Sequence, residues 1–264
     1  LHTDSPGGYP EINLRGILRN YGAASLASLL NSTKRRRFEM NEKPLMKWGG
    51  ISAFVFVVLF IITTLLYWIA QGGIPSRMPT VGEWADLLSG SAIRTHIVLV
   101  SIWLCFYVVV AYAAYDYLRK TSYGLSRIGF GFVVLWIITY VVVIGTLAAG
   151  IKIALARPPD FETQFSVILN LFGCMRIFLI WFWALFPFLW GLAFIKLEGK
   201  NKSVGYLFLA TTVFAILLYT FLRVGNIRIA EISHLLGMIT FAVSHFFLAL
   251  ILIAESKKQG QQTA

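Results

Sequence analysis

Five polar residues stand out in this chain because they fall inside long apolar stretches: His96, Arg176, Glu231, His234 and His245. A charged or imidazole group within a membrane span is costly, so each is a functional candidate. Glu231, His234, Met238, Phe241 and His245 follow one another at steps of three and four, which places all five on one helix face. With the N-terminus inside, the second, fourth and sixth spans all enter from the outside, and His96, Arg176 and His234 fall at similar outer-leaflet depth. Three chemistries fit such a cluster. His96 and His234 could face each other as axial ligands of a haem b. His96, Arg176, Glu231 and His234 could line a ligand pocket, with Arg176 and Glu231 paired. The same residues could be interhelical glue, or could snorkel to the headgroups. A shared metal between His234 and His245 does not fit, because eleven residues of helix separate them by about 16 Å. A zinc pair on one helix uses a four-residue step, and no metal site is expected.

The elements that must position these residues are membrane spans. Hydrophobic residues make up 58% of the 264 positions and charged residues 13%. Soluble domains run near 45–50% and about 25%. This balance excludes a soluble enzyme, a nucleic-acid-binding domain and a disordered chain, and it makes the lipid bilayer the chain's main partner. Six apolar stretches are long enough to cross the hydrocarbon: about Gly50 to Ala70, Ile93 to Leu118, Ile128 to Leu155, Phe165 to Ile195, Val204 to Leu222 and Ile232 to Ala254. The expected fold is therefore an all-α bundle of six transmembrane helices.

Loop charge sets the expected orientation. With the N-terminus inside, the inner segments carry 14 Lys and Arg and the outer segments 6. Both termini are then cytoplasmic, and the net charge of +11 is topological. Pro75 and Pro79 end the first span, Thr80 to Ser91 reads as a short amphipathic outer segment, and Pro158-Pro159 stops the third span. Gly199 with Asn201 suggests a tight inner turn, with Ser203 as cap of the fifth span. The fourth stretch is longer than the membrane core, so it is expected to tilt, to break near Gly173 or to bend at Pro187. Gly145 to Ala149 has the spacing of a close helix contact. Asp116 is placed to pair with Arg119 or Lys120. The aromatic run Trp181, Phe182, Trp183, Phe186, Phe188 and Trp190 fits lipid contact and packing, or the wall of a cavity.

Cys105 and Cys174 lie in apolar surroundings without a CxxC, so no disulfide framework is expected. The phosphate loop, GxSxG and HExxH are missing from the sequence, so the reading leans away from an enzyme. Residues 1–39 contain no span. Lys34 to Glu39 can be back-translated as a ribosome-binding sequence ahead of Met40, which makes residues 1–39 an expected non-native or disordered leader and residues 40–264 the membrane domain. The other reading of that stretch is an interfacial segment touching anionic lipid through Lys34 to Arg37.

Three further stretches carry a resemblance. Leu87 to Arg94 is a short polar segment with an Arg at the start of span two. Tyr115 to Lys120 precedes a short turn. Phe182 to Phe221 holds an aromatic helix with Gly191, a basic inner turn, Gly205 and another apolar helix. In these and in the order of its spans the chain resembles the bacterial six-span family called domain of unknown function 4386. The resemblance implies a six-span protein of the cell inner membrane and implies no activity or site residue. The expected function is binding or moving a small apolar or amphiphilic ligand. The alternatives are a haem-b redox subunit, or a structural or regulatory subunit of a membrane complex. The sequence leaves the oligomeric state open.

Overall fold

A computed structural model gives seven helices and no strand among the described residues, which are 23–74, 77, 79–197 and 201–261, with side chains from Pro44 onward. They are α1 (Ala23–Ala70), α2 (Val81–Ser89), α3 (Ser91–Arg119), α4 (Tyr123–Ala156), α5 (Phe161–Ile195), α6 (Asn201–Arg223) and α7 (Ile227–Gln261). Six are long and apolar enough to cross a membrane, α1 by its part Pro44–Ala70. The chain divides at Lys43 into two units. Of the first unit, backbone from Ala23 onward is helical. Most of the expected leader, 1–22, lies outside the described residues, as do Pro75 and Gly199.

The second unit, Pro44–Ala264, is the bundle. Its spans pack on their sequence neighbours from α3 through α7. α1 closes the ring: Gly49 lies against Ala113 of α3, and Gly50 against Ala249 and Ile253 of α7. The core is aromatic. Phe241 of α7 sits at its centre, with its ring centroid 6.0 Å from Phe56 of α1, 6.2 Å from Tyr107 of α3, 6.1 Å from Trp136 of α4 and 5.9 Å from Phe186 of α5. Trp103 and Trp136 stack beside it, 6.0 Å apart and 27° from parallel. The opposite faces carry exposed Ile, Val, Leu and Phe side chains, such as Val58, Ile138, Val167 and Val213. In water such a surface would drive association; in a bilayer it is the solvated face.

Several sequence expectations change in detail. The helix that holds the last span extends beyond Ile232 to Ala254, running Ile227–Gln261. Ser203 does not cap α6, because the helix already begins at Asn201, whose amide donates to the Tyr117 hydroxyl at 3.1 Å. α5 does not break near Gly173; it is continuous from Phe161 to Ile195 with Pro187 inside. Gly145 makes no close helix contact, since a Cβ there would meet nothing within 4 Å. The close approach lies elsewhere, between Gly191 of α5 and Gly205 of α6. A Cβ on Gly205 would stand 2.7 Å from the Gly191 carbonyl, and one on Gly191 2.9 Å from the Gly205 carbonyl. Only residues without side chains let these two backbones touch.

The segment between α1 and α3 is a true helix. Thr80 and Glu83 form a capping box: the Thr80 hydroxyl accepts from the Glu83 N–H at 3.3 Å, and the Glu83 carboxylate accepts from the Thr80 N–H at 2.7 Å. Arg77 grips the same carboxylate with two bonds of 2.6 and 2.8 Å. Arg157 reaches Asp86 at 2.5 Å from the end of α4, where its own backbone turns left-handed at φ 41° and lets the chain leave the helix before Pro158. Beneath α2, Ala85 and Leu88 pack into a second apolar cluster with Ile93, Ile97, Ala154 and Phe165. Asp116 pairs with Arg119 at 2.5 Å, as its position suggests.

Candidate functional site

The bundle contains a cavity of about 150 Å³ lined by His96 of α3, Arg176 of α5 and His234 of α7. Three of the four expected site residues therefore meet at one place. Each is fixed by its own helix. His96 is held from α1: its Nδ1 donates to the Thr63 carbonyl at 2.8 Å. That contact fixes the tautomer of the neutral ring and leaves Nε2 as a bare acceptor. Arg176 Nη2 donates to Glu231 Oε1 at 2.7 Å, and His234 Nδ1 meets Glu231 Oε2 at 3.3 Å. Glu231, the fourth expected residue, is buried at 3% exposure and stands behind the lining, where it orients both neighbours. The i,i+3 step from Glu231 to His234 on α7 makes the second of these contacts possible.

The rest of the wall is apolar or aromatic except for Thr64. Phe60, Thr64 and Tyr67 come from α1, Trp136 and Tyr140 from α4, and Trp183 from α5. Trp183 reaches the cavity across Gly237 of α7, where a Cβ would stand 2.7 Å from its Cη2. Tyr67 lies with its ring 5.8 Å from His96, and Trp183 stands edge-on to His234 at 5.9 Å. Phe172 of the cavity wall packs against Trp84 of α2 at 6.0 Å, which ties that short helix to the site. The aromatic run of α5 thus divides: Trp183 faces the cavity, Phe186 and Trp190 are core, and Trp181 and Phe188 are exposed on the bundle's surface.

Two parts of the sequence reading lie apart from the cavity. Arg94, close before His96 on α3, is exposed. His245 is fully buried in the core, where it bonds the Phe241 carbonyl through Nδ1 at 2.8 Å and meets the Tyr107 hydroxyl through Nε2 at 3.2 Å. It satisfies a polar group in the middle of the aromatic cluster and is not part of the cavity lining.

Tyr67, Thr64, Tyr140 and Trp136 were not among the expected site residues. Thr63, Thr64 and Tyr67 are the polar interruption of the first span, and that was a readable signal. Tyr140 and Trp136 share a face of α4 at an i,i+4 step, but nothing in so apolar a stretch of helix marks that face as inward.

Among the described residues no group of three or more His, Cys, Asp and Glu side chains could hold a metal ion. For a haem, His96 and His234 are the side chains with imidazoles at the cavity. Tyr67, Trp68 and Trp183 rings pack against those imidazoles at 5.8, 6.3 and 5.9 Å. Compared with known proteins, the chain matches no family model, no curated protein and no solved structure.

Proposed function

We propose that this is a multi-pass protein of a bacterial inner membrane, with both termini cytoplasmic, that binds a small apolar or amphiphilic ligand within its bundle. The single observation that supports it most is the cavity: polar side chains from α3, α5 and α7 line it, set among mostly aromatic and aliphatic groups. Small-molecule sites have this make-up, with few polar groups set in a mostly apolar lining. Kinship with the domain of unknown function 4386 family belongs to this reading; the order of six spans favours it, and no activity comes with it.

The test is saturable binding of a small apolar probe, toluene, to the purified full chain in lipid nanodiscs, followed by thermal stabilisation and tryptophan fluorescence. Leu147 and Ile144 both line the cavity. Leu147→Trp, or Ile144→Phe in its place, should fill the space and remove the response. A response that does not saturate, or that the filled variants keep, would reject the reading. An absorption spectrum of the same preparation addresses the haem alternative: a Soret band lost in His96→Ala or His234→Ala would replace the ligand reading with a redox one.

A further inference from the structure

If the cavity is a binding site, as proposed above, its polar wall also specifies the chemistry of the occupant. Charge comes first. Arg176 is the one charged side chain among the described residues lining the cavity, and Glu231 matches it at 2.7 Å. The pair cancels. An anionic or cationic occupant would bring an unmatched charge into a mostly apolar cavity, which is unfavourable. The site suits a neutral molecule.

Donors and acceptors come second. His96 spends its Nδ1 proton on the Thr63 carbonyl, and His234 directs Nδ1 at the Glu231 carboxylate. In the neutral rings both Nε2 atoms are then acceptors, and among the described residues neither has a hydrogen-bonding partner. Arg176 keeps further N–H groups after its bond to Glu231. The same wall therefore asks for a hydrogen to accept and offers hydrogens to donate. A carbonyl or ether meets only half of that demand. A hydroxyl meets both, donating to an imidazole and accepting from the guanidinium.

Size and shape come third. A void of about 150 Å³ is on the scale of an apolar cavity that admits benzene. Trp136, Tyr140 and Trp183 present flat faces and edges to it, the surroundings in which an aromatic ring packs best.

We propose that the cavity binds a phenol, a neutral ring of benzene size with its hydroxyl set between the His96 and His234 imidazoles and Arg176. The experiment titrates phenol, toluene, anisole and benzoate against the full chain in nanodiscs, reading the thermal shift. Phenol is expected to bind about ten-fold more tightly than toluene. Anisole, which keeps the oxygen without the O–H, is expected to fall to the level of toluene, and benzoate is expected to give no shift. His96→Phe should bring phenol down to toluene without weakening toluene; the anisole comparison makes the same distinction if that variant does not accumulate. Toluene or anisole binding as tightly as phenol would overturn the hydroxyl assignment while leaving the cavity a ligand site. Benzoate binding more tightly than phenol would overturn the charge argument. Failure of every probe to saturate would take down both this assignment and the binding reading beneath it.

Discussion

Arg176 and Glu231, 55 positions apart in the chain, form a nearly enclosed pair. Removing one partner leaves the other charge unmatched in an apolar setting, a change that costs about 3–5 kcal/mol in buried pairs. Arg176→Ala and Glu231→Ala should each lower the unfolding temperature in detergent, and the double variant should lose less than the sum. Additive losses would mean the pair does not act as a unit. This contact was legible in the sequence because charge in a span is rare enough to be conspicuous, and because the steps from Glu231 to His245 fix one face of α7. Tyr140 and Trp136 were not legible for the converse reason. In a membrane the lipid-facing and core-facing sides of a helix are equally apolar, so hydrophobic periodicity cannot separate them.

At the scale of elements, α2 depends on its first turn. The Arg77 guanidinium first, and the Thr80 N–H after it, hold the Glu83 carboxyl well below the ordinary range, at about 2. A carboxylate depressed on folding stabilises its element above its unfolded pKa, near 4.5, and that contribution fades as pH falls through the folded value. A spin label at Gly82→Cys, where a side chain meets open space, should become more mobile between pH 4.5 and 2. The label belongs in a chain whose exposed Cys105 and Cys174 are replaced by Ala. Glu83→Ala should be mobile throughout; a spectrum indifferent to both changes would show that the capping box does not hold the helix. The sequence carried this signal in Thr80-x-x-Glu83, and reading the segment only as amphipathic missed it. The α5–α6 contact makes a second test. Gly205→Ala forces a methyl group against the Gly191 carbonyl and should cost about 1–3 kcal/mol, seen as a lower unfolding temperature, whereas Gly145→Ala, in open space, should be neutral or slightly stabilising. Spacing alone pointed to Gly145; which small residue meets a neighbour depends on how the helices are rotated, and the local sequence does not encode that.

For the whole molecule, the asymmetry of loop charge predicts reporter readings. Fusions after Lys120 and Lys202 should read cytoplasmic, and fusions near Gly82 and Asp160 external. One inverted loop would break the six-span arrangement. The number of spans was readable because each needs about 20 apolar residues between polar connections. The way α1 closes the ring between α3 and α7 was not, because it rests on Gly49 and Gly50 approaching Ala113 and Ala249, contacts far apart in the chain. The stacked indoles of Trp103 and Trp136, from neighbouring helices, have a consequence of a different kind. Two chromophores held this close at a fixed angle couple their transitions, so the native bundle should show a circular-dichroism couplet that neither tryptophan gives alone. Trp136 also lines the cavity, so the couplet spans the core and the site together. Loosening of side-chain packing erases such signals before helix content falls, and the protein thus carries a built-in optical gauge of whether its interior is locked or molten.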